Sequence, residues 1–176
     1  MKPLVGTLAL ALCTLPARGA AQQNPVADAF RSMEQRHAKI ITEAAEEMPA
    51  DKYGFKPTPA QMSFGDVIAH LMEDGNDNLC GAASGQKSPP RPKLTGADPK
   101  DKLVTGLKDS FQFCATALGS IQDAQLGDSV PFFGGRKVTR AVAVLVTVAD
   151  WADHYSQLAI YLRLNGHLPP TAKRGT

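Results

Sequence analysis

The chain has 176 residues, 43% hydrophobic, 20% charged and 6% aromatic, with a formal net charge of +2. That composition excludes collagen-like, disordered and acidic-tail chains, and the length suits one domain with a real core. The small charge, with no Lys/Arg cluster, leaves no electrostatic footprint for nucleic acid, so none is expected as a partner.

Met1 and Lys2 precede a mostly apolar run from Leu4 to Leu15, closed by Pro16 and followed by the small residues Ala17, Gly19, Ala20 and Ala21. This layout predicts a signal peptide over 1–21, cleaved after Ala21, and a secreted or periplasmic mature domain over 22–176. A membrane anchor needs about 20 apolar residues, so no stable membrane insertion is expected. Leu12 is too bulky before Cys13 for a lipoprotein signal. Loss of 1–21 removes Lys2, Arg18 and Cys13, which balances the charge and leaves Cys80 and Cys114. In an oxidising compartment these predict one disulfide, the alternative being two buried thiols.

Asn24-Pro25 reads as a helix start. Val26, Phe30, Met33, His37, Ile40, Ile41, Ala44 and Met48 then recur at helical spacing up to Pro49. Residues 49–62, with Pro49, Gly54, Pro57 and Pro59, form a connection whose Tyr53 and Phe55 are expected to fold onto the core. Ser63 and Asp66 have capping-box spacing and open a second helix with the stripe Val67, Ile68, Leu71, Met72, Leu79 and Cys80. Residues 81–99 read as a Gly/Pro/Ser/Lys loop, and Asp98-Pro99 restarts a helix with Leu103, Val104, Leu107, Phe111, Cys114 and Leu118 inward. Residues 119–138 read as irregular, with Phe132 and Phe133 expected against the bundle. Thr139 caps a last helix that is apolar on nearly every side, predicting burial, and Asn165-Gly166 ends it. The expected fold class is all-α, a four-helix bundle with long loops after helices 1, 2 and 3.

Asp150 and His154 are four residues apart on this last helix and share a face. His70, beside the apolar stripe of the second helix, is the candidate third ligand, and two imidazoles with a carboxylate suit zinc, nickel, iron or manganese. The bare spacing also fits a hydrogen-bonded core histidine, and His70 also fits a surface ion pair with Asp66, Glu73 or Asp74. His37 reads as structural and His167 as a solvated loop residue.

The segments MSFGDVIAHL (62–71) and DHYSQLAIYLRLNGHLPP (153–170) resemble the two signature helices of the DinB-like superfamily. These are four-helix bundles related to bacillithiol and mycothiol S-transferases. The Pro-rich YGFKPTP before the first signature fits the same order, and HLMEDGNDNLC is similar to a secreted branch with a cysteine soon after the first histidine. The resemblance spans essentially the whole mature chain. It implies a divalent metal held by three histidines, with His70 and His154 in the first and last places and Asp150 where the family usually has histidine. It also implies a supporting hydrogen bond from Gln157 and structural roles for Tyr161 and Arg163, the latter paired with an acid on a neighbouring helix.

The functional expectation is a metal-dependent hydrolase of an unidentified small molecule. The alternatives are a thiol S-transferase, disfavoured by export, and a non-catalytic, stress-related metal- or ligand-binding bundle. Assembly as a homodimer completes the expectations on partners.

Overall fold

The computed structural model describes residues 24–173; the expected signal peptide, residues 1–21, lies outside them. Helix α1 spans Pro25–Glu47. The side chain of Asn24 does not cap it: its Oδ1 accepts from the Asp123 N–H, while the Asp123 carboxylate accepts from the N–H groups of Val26 and Ala27 at 3.2 and 2.8 Å. The free N–H groups of the first turn are thus satisfied by a carboxylate nearly a hundred residues away.

Helix α2 starts at Phe64 behind the expected capping box, in which Ser63 and Asp66 each satisfy the other's backbone N–H. It runs as an α-helix over Phe64–His70, widens into a π-helix over Leu71–Cys80 and closes as a short α-helix over Gly81–Ser84. The loop expected from residue 81 therefore begins only after Ser84, at Gly85 with φ +80°. Helix α3 spans Lys100–Gly119. Asp98 serves the turn before it, accepting from the N–H and hydroxyl of Thr95.

The stretch expected to be irregular contains a small antiparallel hairpin, β1 Ser129–Pro131 with β2 Lys137–Thr139, in which Val130 pairs with Val138. Phe132 packs partly against the core, but Phe133 is exposed. Helix α4, Arg140–Leu164, is capped as expected by Thr139, whose hydroxyl accepts from the Val142 N–H, and it stops at Gly166 with φ +80°. A short helix α5, Pro170–Lys173, folds back so that Lys173 and His167 both reach the Glu47 carboxylate. His167 is therefore a hydrogen-bond partner of Glu47 rather than a free loop residue.

The end-to-end contacts fix the topology. Lys100 at the start of α3 donates to the carbonyls of Glu46 and Met48 at the end of α1. Tyr161 near the end of α4 donates to Met62 just before α2, while Arg140 at the start of α4 donates to Ala83 at the end of α2. Helices α1 and α4 thus run one way, and α2 and α3 the other. Residues 85–98 carry the chain back along the bundle as a strap, fastened by Arg91 to Asp77 and Lys93 to Glu73.

The core is one continuous cluster in which Ile41, Phe64, Ile68, Leu71, Leu107, Trp151 and Leu158 are fully buried. Each such side chain contributes about 1.5–3 kcal/mol by leaving water. Helix α4 departs from the expectation of all-round burial: Val142, Leu145, Val146, Ile160 and Leu164 stay exposed along one face. Among the described residues no helix is long and apolar enough to cross a membrane. Cys80 and Cys114 form a disulfide that ties the end of the π-helix to α3.

Candidate metal centre

His70 ends the first α-helical stretch of α2, immediately before the backbone widens. Its Nδ1 lies 3.0 Å from Asp74 Oδ2, which fixes the ring. On α4, Asp150 and His154 stack one turn apart, with His154 Nε2 3.4 Å from Asp150 Oδ1. Because α2 and α4 are antiparallel neighbours, the two imidazoles meet across the groove at 4.8 Å between ring centroids. One ligand atom from each of His70, Asp150 and His154 falls within 4.8 Å of the others. Both readings of His70 hold together: it pairs with Asp74 and it faces the other two candidates.

The surroundings place Trp151, between the two α4 candidates in sequence, in the core. Its indole N–H donates to Asn76 Oδ1 at 2.7 Å, and Asn76 in turn donates to Ser110 Oγ at 2.8 Å. This buried chain of hydrogen bonds locks α4 to the π-helix and to α3, and so sets the rotation that turns Asp150 and His154 toward His70. His37 fills the structural role expected of it, with Nδ1 on the Met33 carbonyl and its ring 5.9 Å from that of Trp151.

Burial opposes charging the His154 imidazole, but hydrogen bonding and charge from Asp150, helped by Asp153 and Gln157, outweigh it and hold the pKa above the ordinary histidine value. Gln157 donates to Asp153 Oδ2 at 2.9 Å, so its main bond goes to that carboxylate. Tyr161 is structural, as its bond to Met62 shows, whereas Arg163 is exposed and turns back to the Ala159 carbonyl, with no acid paired to it among the described residues.

Two buried atoms here lack a partner among the described residues, Asp150 Oδ2 and His154 Nδ1. A buried polar atom left unsatisfied costs about 1–3 kcal/mol, so such atoms are rare unless a ligand or water serves them. Two imidazoles and a carboxylate with open valences fit a divalent cation. His70 and Asp74 are 31% and 56% exposed at their side chains, so the site is open to solvent on that side. Residue spacing alone exposed the Asp150–His154 half of the site. The partnership of Asn76, Ser110 and Trp151 carries no sequence signal, since each residue by itself reads as an ordinary helix position.

The DinB superfamily matches residues 35–158, more than half of the chain. No curated protein matches it. Among solved structures, a DinB-like protein of Bacillus subtilis is 22% identical at a TM-score of 0.64, over 79% of this chain and 92% of that one. A DinB-like protein of Bacillus cereus is 16% identical at 0.68, over 81% and 95%. A mycothiol-dependent maleylpyruvate isomerase is 13% identical at 0.57, over 73% of this chain and 58% of its own. At these identities the likeness is one of fold.

Proposed function

The chain belongs to the DinB superfamily, and from that premise we propose that it is an exported protein that holds a divalent cation between His70, Asp150 and His154 and hydrolyses a small-molecule ester or amide with it. The observation that carries this reading is the pair of buried, unpartnered atoms, Asp150 Oδ2 and His154 Nδ1, in a triad whose ligand atoms converge within 4.8 Å. A cation bound there would supply Lewis acidity to polarise a carbonyl and to activate water.

The chain's own residues do the rest. Asp74 accepts from His70 Nδ1 and so orients the ring, the usual role of a carboxylate behind a ligating histidine. Asp153, steadied by Gln157, and Asp74 border the site as exposed carboxylates. The Cys80–Cys114 disulfide supports export, because such bonds persist in oxidising compartments, where low-molecular-weight thiol cosubstrates are scarce.

The test is metal content by elemental mass spectrometry, on protein purified without chelator or histidine tag, for the wild type and for His70→Ala, Asp150→Ala and His154→Ala. Near-stoichiometric metal in the wild type, lost in all three variants, together with ester or amide turnover that a chelator abolishes, is the expected result. A wild type that takes up no zinc, nickel, manganese or ferrous iron contradicts it. Full metal without turnover of any ester or amide leaves a binding bundle in place of a hydrolase.

A further inference from the structure

Position 75 lies in the middle of the π-helix, is buried, and is glycine. Its backbone does not require glycine: it is not among the glycines with positive φ, and alanine is the better helix former. What a side chain would meet there is Asp150. A Cβ built on Gly75 comes 2.9 Å from Asp150 Oδ2, inside van der Waals contact, and the next atom, Leu71 Cδ2, is at an ordinary 3.6 Å. The same Oδ2 is one of the two buried atoms without a partner.

The widened helix explains why it is residue 75 that faces the site. In a π-helix the backbone bond runs from i to i+5, so residues i+4 and i+5 both lie beside residue i. Starting at His70, these are Asp74, which holds the His70 ring, and Gly75, which flanks the same site without a side chain.

The geometry points to Gly75 as a positioning residue for the candidate metal centre: its missing side chain leaves the space that the Asp150 carboxylate occupies beside the two histidines. Gly75 and Asp150 form a matched pair, in which a methyl group at 75 displaces the carboxylate and leaves the backbone in place, because the clashing atom is the free end of a side chain. The inference rests on the metal reading above and extends it to a residue that would not itself coordinate the metal.

The experiment is a two-by-two set of the full chain: wild type, Gly75→Ala, Asp150→Ala and Gly75→Ala/Asp150→Ala. Zinc affinity is measured by competition with a chromophoric chelator, and melting temperature is measured in the metal-free state. Gly75→Ala is expected to weaken zinc binding by about 10–100-fold, the usual effect of losing a supporting residue around a metal. Asp150→Ala is expected to have lost its zinc already, so the double variant is read by its metal-free melting temperature. The metal-free melting temperature is expected to fall in Gly75→Ala and to recover in the double variant, where the carboxylate is gone. A glycine needed only for packing would lower the melting temperature equally in both backgrounds, and that result overturns the inference. Wild-type zinc affinity retained in Gly75→Ala overturns it while leaving the metal reading intact. No zinc binding by the wild type overturns both.

Discussion

Glu34 sits on the core-facing stripe of α1, between Phe30 and His37, and is only 4% exposed. No hydrogen bond or ion pair from the described residues reaches its carboxyl, and burial raises its pKa from 4.5 to about 7. The unfolded chain releases this proton near 4.5 and the folded chain near 7. The group's contribution to stability is therefore full below pH 4.5 and is lost as the pH rises through 7. At about 1.4 kcal/mol per pH unit between the two values, the loss amounts to about 3 kcal/mol by pH 8. Glu34→Gln keeps the shape and cannot ionise. Urea unfolding followed by the fluorescence of Trp151, the chain's one tryptophan, at pH 4.5 and pH 8 measures the difference. The variant is expected to match the wild type within about 1 kcal/mol at pH 4.5 and to exceed it by up to about 3 kcal/mol at pH 8. A gap that is the same at both pH values would refute the assignment of a buried, proton-retaining carboxyl.

The same unfolding assay, read by circular dichroism, checks two further expectations. Trp151→Phe removes the donor to Asn76 Oδ1 and leaves that oxygen buried and unpaired, at a cost of about 1–3 kcal/mol beyond the smaller ring; an unchanged midpoint would contradict the buried bond. Reduction of Cys80–Cys114 opens a closure over a separation of 34 residues, and the loss expected from chain entropy is about 3–4 kcal/mol. Equal urea midpoints with and without reductant would contradict it.

Much of the bundle is legible in the sequence because its helices carry local signals. Pro25 marks a helix start by its fixed φ, the Ser63/Asp66 box, Thr139 and Gly166 mark ends through bonds made within a few residues, and the apolar stripes mark inner faces. What the sequence does not disclose depends on partners far along the chain. Asp123 caps α1 from the other end of α3, while Asp98, which has the form of a cap, bonds to its own turn. The π-helix leaves no mark in the stripe, since Leu71, Met72, Leu79 and Cys80 are equally compatible with a 3.6-residue period. On α4, hydropathy says that the residues are apolar but not which side has a neighbour, so Leu145 and Ile160 were expected inside and stand outside.

The site divides in the same way. Asp150 and His154 are a local pair on one helix, visible from their spacing. His70 is a candidate from its place beside the apolar stripe of α2, and it joins them because α2 runs antiparallel to α4. Asp74 was legible as a partner of His70, but Gly75 was not, because a glycine in a helix reads as a weak point until the carboxylate beside it is located.

The central claim is that a cation sits among His70, Asp150 and His154. Its most direct test is an anomalous-difference map from crystals of the protein grown with zinc or manganese, with data collected on either side of the metal's absorption edge. The account predicts one strong peak bounded by the two imidazoles and the Asp150 carboxylate, and no such peak in crystals of Asp150→Ala. Density for the metal at another place on the bundle, or none between α2 and α4 at saturating metal, would contradict it.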